Sequence, residues 1–283
     1  MQLNTIIDAE HNFATWQLEV GQGMHTDEGG EITLPGNFKR EDNKVDSLID
    51  TIYPGISTPN LPNSEQYFSE CTILSTLNAE VDCLNAEVLK RFSGDAQVFH
   101  SADSIPTSEQ SGEEDIMLNY SVKYLNSINC SGLSLSKLEL KEGCPIMVLR
   151  NLDAAHGVCN GSRGIVTRLR SRVLEVKLLT GDFARQKVFI PRISNQSTED
   201  QVAFKFTRRQ FPVRLGFAMT FNKSQGQSVK HVGLDLRRPV FTHGQFYVGV
   251  SRVTSVSNIK VIWDDKIRES KTQNIVFKEV LLP

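Results

Sequence analysis

The chain has 283 residues, 39% of them hydrophobic, which is enough for one large domain or two modest ones with a real core. Its longest apolar runs are too short to cross a bilayer, and no Lys or Arg precedes Lys39, which argues against a secretory signal or an Arg-rich transit peptide. The five cysteines form no CxxC pair, so we expect reduced thiols in an intracellular protein, with neither disulfides nor zinc.

The net charge of −2 hides an uneven distribution. Residues 1–138 carry 7 Lys or Arg against 21 Asp or Glu, a net charge of −14, and residues 139–283 carry 24 against 12, a net charge of +12. Two interpretations stay open: the C-terminal half binds an anionic partner, or the two halves neutralise each other.

The first 70 residues form an irregular lead-in with short helices. Two sets of apolar residues recur at helical spacing and predict amphipathic helices: Phe13, Trp16 and Val20, then Val45, Leu48, Ile49 and Ile52. The Gly-rich polar stretch 21–37 between them predicts a long loop.

Residues 71–138 show an α/β pattern. CTILST at 71–76 predicts a strand, and the helical face that follows consists of Val81, Leu84, Val88 and Leu89, with Asn78 as N-cap. AQVFHSA at 96–102 predicts another strand. This strand–helix–strand order is typical of a parallel sheet covered by helices.

Residues 139–195 change to β-like runs separated by turn residues, which predicts a small antiparallel barrel inserted into the larger fold. The α/β pattern returns in 196–283. The order there is a strand at 213–219, a turn and helix start at 224–229, a strand at 232–236, a helix at 243–253 and a closing strand at 258–263.

AMTFNKSQGQS at 218–228 looks at first like a phosphate-binding loop, because Lys223 and Ser224 stand beside Gly226. Such a loop, GxxxxGK[ST], needs glycines before the lysine, so that backbone N–H groups can close around phosphate oxygens. Thr220, Phe221 and Asn222 occupy those positions, and no other stretch of the sequence fits the pattern. The stretch is therefore not a nucleotide loop.

The same stretch carries a family resemblance. FAMTFNKSQGQSV at 217–229, followed by FTHGQFYVGVSRVTS at 241–255, resembles the last two conserved motifs of the Pif-type DNA helicases, RecD-like members of helicase superfamily one that include the Helitron helicases. Runs at 72–85, 99–104, 138–166 and 208–220 resemble the same proteins in the same order, so the resemblance covers residues 10–263.

The resemblance implies an α/β fold: the second RecA-like motor domain of a helicase, in two parts at 71–138 and 196–283, with a barrel of the Src-homology-three type inserted at 139–195. A complete motor also has a first RecA-like domain with a phosphate loop, an acidic magnesium-binding pair and a glutamine sensor. The sequence contains none of these. We therefore expect the C-terminal part of a helicase, whether a fragment, a split gene model or a decayed transposon remnant.

The resemblance and the residue types together imply roles for ten residues. Arg252 corresponds to the arginine finger that stabilises charge on the γ-phosphate, and Gly226 and Gln227 to the turn facing the cleft between motor domains, where Gln227 bonds ribose or phosphate. The expected contacts to single-stranded DNA follow from short polar side chains and one lysine at the ends of two predicted strands: Ser75, Thr76, Asn78, Thr220, Asn222, Lys223 and Ser224. The alternatives are a surface arginine for Arg252, an ordinary turn for Gly226 and a helix cap for Asn78. Arg163, Arg168, Arg170 and Arg172 in the barrel fit a DNA contact or a solvated hairpin face equally well.

By resemblance, the intact enzyme is an ATP-dependent 5′–3′ DNA helicase of replication, repair, recombination and telomere maintenance, which uses ATP and Mg²⁺. We expect this chain alone to bind neither and to be inactive. Its expected partners are single-stranded DNA and the missing first motor domain, with no membrane, and we expect a monomer in the nucleus or, alternatively, the mitochondrion. The rival hypotheses are a non-catalytic single-stranded nucleic-acid-binding module, a transposon-derived remnant and a protein-interaction domain built on the barrel.

Overall fold

A computed structural model describes residues 2–38, 42–59, 61, 64–105, 120–130, 132–197, 202, 204–264 and 270–280, without the side chains of 2–9. The chain divides into two compact units. The first unit joins Met1–Arg91 to Phe217–Pro283, and the second is Phe92–Gly216.

The described residues form six α-helices and sixteen strands. The helices are α1 (Gln2–Gly21), α2 (Val45–Ile52), α3 (Ser64–Glu70), α4 (Asn78–Arg91), α5 (Val122–Ser127) and α6 (Gln245–Val250). The strands are β1 (Glu31–Thr33), β2 (Cys71–Ser75), β3 (Gln97–His100), β4 (Ala102–Ser104), β5 (Lys137–Leu140), β6 (Pro145–Val148), β7 (Arg163–Leu169), β8 (Val173–Leu178), β9 (Lys187–Pro191), β10 (Ile193–Gln196), β11 (Thr207–Gln210), β12 (Val213–Leu215), β13 (Ala218–Thr220), β14 (His231–Leu236), β15 (Ile259–Trp263) and β16 (Lys271–Gln273).

The first unit is built on a parallel sheet in the order β13-β2-β14-β15. Every residue of β2 is buried, as expected for an inner strand covered on both faces. Ser75 at the end of β2 pairs with Thr220 of β13 on one side and Asp235 of β14 on the other. The predicted α/β class with a parallel sheet is confirmed.

The strand predicted at 96–102 forms, but it does not pair with the strands that the sequence indicated. The run 96–102 does form a strand, β3, but β3 pairs antiparallel with β5 in the second unit and does not join the parallel sheet. Only Phe99 of β3 is buried, whereas an inner parallel strand buries every residue. The neighbours of β2 come instead from β13 and β14, more than 140 residues further along the chain.

Helices α2 and α4 pack on the sheet with the faces that the sequence predicts. Leu48, Ile49 and Ile52 of α2 are buried, and a side chain on Gly233 of β14 would collide with Ile52, so α2 lies close over that strand. All four residues of the predicted α4 face are buried as well. Asn85 of α4 donates to the Ala218 oxygen (3.1 Å) and accepts from its N–H (2.8 Å).

The lead-in is more ordered than the sequence indicates. Phe13 and Val20 of α1 are buried as predicted, and the segment 21–37 contains β1, which pairs antiparallel with β16. Strand β1 has only three residues, too few to show the alternation of apolar and polar residues that distinguishes a strand from a loop. Among the described residues, no helix combines the length and the apolar character needed to cross a membrane.

The second unit contains a five-stranded antiparallel sheet in the order β12-β6-β7-β8-β9. Its strands β6 to β9 match the four β-like runs of the sequence. The fifth strand was not foreseen, because the run 213–219 divides at Gly216 between β12 of this sheet and β13 of the parallel sheet. The compact unit is consequently longer than the predicted insert 139–195, and it includes β3, β4, α5 and β11.

A buried ion pair connects three further elements of the second unit. The Arg208 guanidinium on β11 donates to Asp103 on β4 through Nε and Nη2, at 2.7–3.1 Å, and both side chains are almost fully excluded from solvent. Its other N–H groups donate to the carbonyl oxygens of Leu125, Ile128 and Ser134. One side chain thus ties β4 and α5 to β11.

We expect Arg208→Met to lower the free energy of unfolding by about 3–5 kcal/mol, because it leaves the Asp103 carboxylate buried without its partner. The matched control is Arg209→Met, since Arg209 is the next residue of β11 and is exposed on the other face. Urea unfolding measures both. Equal effects of the two substitutions would contradict the assigned role of the ion pair.

Candidate functional site

Three neighbouring strands of the first unit end at the same edge of the sheet. Thr220 ends β13 and Ser75 ends β2 directly beside it, while β14 ends at Leu236. We call this the carboxyl edge. In open parallel sheets it is the position where ligands bind. The residues predicted to bind nucleotide and DNA from 75, 76, 78 and 220–227 all lie along it or directly after it.

Residues 221–227, the motif turn, leave β13 as a single 3₁₀ turn, Phe221–Ser224. The Ser224 hydroxyl donates to the Phe221 oxygen (2.7 Å), and the Gln227 N–H donates to the Ser224 oxygen (3.0 Å). The helix start predicted at 224–229 is wrong, because no helical turn follows. Gly226 has φ of 78°, in the left-handed region, which ends a helical turn.

Gly226 satisfies both interpretations of its role. Its positive φ is the conformation that an ordinary turn glycine adopts. It is also exposed, and a Cβ placed on it would have no atom within 4 Å, so the backbone is open to close approach by a ligand.

The four polar residues of segment 220–224 differ in exposure. Asn222 and Lys223 are exposed, and Thr220 is half-buried with no capping bond from its side chain to the turn. Ser224 is buried, and its hydroxyl is used within the turn. Asn222 and Lys223 are therefore the residues of this segment best placed to meet a DNA backbone, whereas Ser224 shapes the turn.

Arg252 follows α6 and its side chain lies over the motif turn. Its Nη1 donates to the carbonyl oxygens of Ser224 (3.3 Å) and Gln227 (3.2 Å). Its Nε donates to the Val248 oxygen (2.8 Å), and its Nη2 donates to the Ser251 hydroxyl (2.8 Å). The side chain thereby links the end of α6 to the two ends of the turn segment 224–227.

The partners of Arg252 are all neutral. Throughout the described residues no carboxylate lies within ion-pair distance of its guanidinium, and the four hydrogen bonds leave one N–H of Nη2 for a ligand. Burial lowers the pKa of the guanidinium from its usual value, yet an arginine stays ionised in proteins. The site therefore holds a positive charge that no acidic group of the described chain neutralises.

Gln227 presents an acceptor. Its Nε2 donates to the Lys223 oxygen (3.2 Å), while its Oε1 is buried and has no donor within the part of the chain that the structure describes. A carboxamide carries two N–H donors as well as the oxygen, so it can bond either of the two expected ligands, ribose or phosphate. In this conformation the oxygen is closed off from solvent, and a ligand reaches it only after the side chain moves.

Ser75 and Thr76 contact Glu80, which the sequence places in the first turn of a helix but does not assign to the site. Their hydroxyls donate to Oε2 of Glu80, at 2.9 and 3.3 Å, and both side chains are buried. Ser75 in particular offers no surface to a DNA backbone in this conformation. Asn78, the first residue of α4, is exposed.

Glu80 also belongs to a charged cluster on the carboxyl edge. Arg238 Nε lies 3.5 Å from Glu80 Oε1, and Arg237 makes a two-point bond to the fully buried Asp235, at 2.7 and 2.8 Å. The bond to Asp235 raises the pKa of Arg237, with weaker contributions from other groups that include Glu80. Only the position of Glu80 in the first turn of a predicted helix could have pointed to this cluster.

The basic run of the barrel is split by the fold. Arg163 is almost fully buried and donates to the Gly216 oxygen (3.2 Å), so it cannot contact DNA in this conformation. Arg168, Arg170 and Arg172 are exposed around the β7–β8 turn, and Arg168 lies 4.0 Å from Glu175. Within the described ranges, no group of three or more His, Cys, Asp or Glu side chains is placed to bind a metal ion.

The chain is similar in sequence to a known helicase family. Residues 123–169 match the 2B domain of DNA helicase Pif1. ATP-dependent DNA helicase PIF1 of Rattus norvegicus is 30% identical over 68% of this chain, and that of Xenopus laevis is 27% identical over 69%. The resemblance to Pif1 helicases is confirmed. The matches cover 27% and 28% of those two relatives, so the chain spans less than a third of their length.

Solved Pif1 structures share the fold. Pif1 helicase from Candida albicans superposes with a TM-score of 0.57 over 96% of this chain and 56% of its own, at 22% identity. Bacteroides Pif1 bound to single-stranded DNA gives 0.55 over 97% and 51%, at 21% identity. The predicted motor-domain fold is therefore shared with Pif1 helicases, whereas the roles predicted for individual residues stay predictions.

We expect Gly249→Ala to displace α6, because a Cβ on Gly249 would collide with the buried ring of Phe221 in the motif turn. Overpacking of this kind costs about 1–3 kcal/mol. The test is a double-mutant cycle with Phe221→Leu, in which the smaller side chain relieves part of the loss. Strict additivity in thermal unfolding would show that the turn and the helix are not in contact.

Proposed function

We propose that this chain is the C-terminal motor portion of a Pif1-type ATP-dependent DNA helicase, inactive by itself. The observation that carries the proposal is the position of Arg252, an ionised guanidinium over the motif turn whose hydrogen bonds go only to neutral oxygens. The sequence relationship to ATP-dependent DNA helicases supports it.

In the proposed enzyme, ATP and Mg²⁺ bind on a first motor domain that carries the phosphate loop, and hydrolysis supplies the energy for movement along DNA. Arg252 would stabilise the negative charge that develops on the γ-phosphate oxygens, a role for which a planar, permanently charged donor fork is suited. Gln227 would move its carboxamide out of the turn and bond the ribose or a phosphate of the nucleotide.

The same turn would hold single-stranded DNA through its exposed side. Asn222 offers an amide and Lys223 a point charge, and both follow Thr220 at the carboxyl edge. Contacts of this kind track phosphates without reading sequence. The turn would contact DNA through Lys223 and accept from Arg252 through the Ser224 and Gln227 oxygens. It would therefore couple the state of the bound nucleotide to the affinity for DNA.

A salt titration tests the DNA contact. We expect an oligothymidine to bind with an affinity that falls steeply as salt rises, and Lys223→Ala to reduce the slope of log K against log[salt] by about 0.7, the loss of one phosphate contact on a single strand. The control is Lys230→Ala, because Lys230 is also exposed in the first unit but lies outside the motif turn. An unchanged slope for Lys223→Ala would show that Lys223 does not contact the DNA backbone.

Measurements of ATP hydrolysis test whether this chain supplies Arg252 while another motor domain supplies the phosphate loop. We expect the pure 283-residue protein to show no DNA-stimulated ATPase, and a fusion to a phosphate-loop motor domain that hydrolyses ATP to lose about 10³–10⁵ in kcat on Arg252→Ala. ATP hydrolysis by the chain alone would contradict the proposal. So would a fusion whose kcat is unchanged by Arg252→Ala. DNA binding together with an indifferent fusion would instead favour a non-catalytic single-stranded-DNA-binding module, the rival consistent with the exposed Asn222 and Lys223.

A further inference from the structure

Helix α6, which leads into Arg252, is only six residues long. A helix of that length is not stable in isolation, because nucleation costs more than one or two hydrogen bonds return. Its direction, and with it the position of Arg252, must therefore be imposed by the contacts that surround it. The last carbonyl groups of a helix are the part that most needs partners from outside.

The carbonyl oxygens at the end of α6 accept from Ser251 directly after the helix, at Tyr247 and Val248, and from two further sources. Arg252 itself supplies two donors, its Nε to the Val248 oxygen (2.8 Å) and its N–H to the Gly249 oxygen (3.3 Å). The second source is Gln17 of α1, whose Nε2 donates to the Val250 oxygen (2.6 Å) and to the Val253 oxygen (3.0 Å). One amide group therefore fixes a carbonyl two residues before Arg252 and another directly after it.

Gln17 is itself held firmly. Its neighbour Trp16 meets Phe246 of α6 edge-on, with ring centroids 6.4 Å apart, and meets Phe38 in the same way at 5.5 Å. One turn further on, Val20 is fully buried and its carbonyl oxygen accepts from Asn274 Nδ2 (3.0 Å). The donor that reaches the arginine segment thus projects from a helix anchored on both sides of it.

We propose that Gln17 is a positioning residue for Arg252: its two hydrogen bonds hold the backbone on either side of the arginine, so that the guanidinium stays over the motif turn. This assigns a function to the lead-in helix, which lies more than 230 residues away in sequence. The local coupling depends only on the contacts described, and its importance for catalysis rests on the proposed function.

The coupling is measurable on the isolated chain by nuclear magnetic resonance with ¹⁵N-labelled arginine. The Nε–H signal of Arg252 is identified by its loss in Arg252→Lys. Because this N–H donates to the Val248 oxygen, we expect it to exchange with solvent more slowly than that of Arg170 or Arg172, which are exposed. Gln17→Glu keeps the size of the side chain but removes both donated bonds, and we expect the exchange rate of Arg252 to rise about tenfold.

The controls separate positioning from general stability. Asn12→Asp makes the same amide-to-carboxylate change on an exposed position of α1 and should leave the exchange rate unchanged. Gln17→Met removes the donor without adding charge, in case Gln17→Glu does not fold, and should reproduce the faster exchange. Gln17→Lys retains a donor and should restore slow exchange. Unchanged exchange in Gln17→Glu and Gln17→Met overturns the coupling.

An active fusion with a phosphate-loop domain gives a second readout. We expect Gln17→Met to lower kcat about tenfold with KM for ATP changed less than twofold, because a displaced Arg252 loses contact with developing charge rather than with bound ATP. Faster exchange without a change in kcat would overturn the catalytic part of the inference. A fusion indifferent to Arg252→Ala would reject the proposed function and leave the exchange result as the test of the coupling.

Discussion

The pairing of β2 with β13 on one side and β14 on the other is the interaction on which the site depends. It places Ser75, Thr220 and Asp235 in register, so three strand ends and the turns that follow them share one edge. Strand β13 lies at the border of the sheet, where its outer N–H and C=O groups need partners. The reciprocal bonds between Asn85 and Ala218 supply them at the first residue of β13, three residues before the motif turn begins.

Local patterns were enough for the elements that pack by periodicity. The apolar faces of α2 and α4 and the strands β6 to β9 follow from spacing alone, because burial of one face dictates that spacing. Partners were not predictable in the same way. Strand β3 follows β2 and α4 in the order typical of a parallel sheet but pairs with β5. The run 213–219 divides at Gly216 between two sheets. Both outcomes depend on segments distant in sequence.

The candidate site was predictable as a set of positions but not as a set of contacts. Family motifs placed Arg252, Gly226 and Lys223 at one edge, and the fold brings them there. Hydrogen bonds distinguish the residues that are open to a ligand from those that are not. The hydroxyls of Ser75 and Thr76 donate to Glu80, and that of Ser224 donates to the Phe221 oxygen. Gln17 shows no motif, since the carbonyl groups that it binds come near it only in the tertiary structure.

The neutrality of the Arg252 partners has an energetic consequence. A guanidinium in a buried ion pair, such as Arg208 with Asp103, leaves its partner only at a cost of several kcal/mol. Arg252 instead donates to backbone carbonyls and one hydroxyl, bonds whose net contribution is about 0.5–3 kcal/mol each and which water can replace in part. In the proposed enzyme, a polyphosphate beside the motif turn would compete with the Ser224 and Gln227 oxygens for the guanidinium, while Gln17 would keep the backbone around Arg252 in place. The guanidinium would then exchange hydrogen-bond partners over the turn without displacement of the helix that carries it.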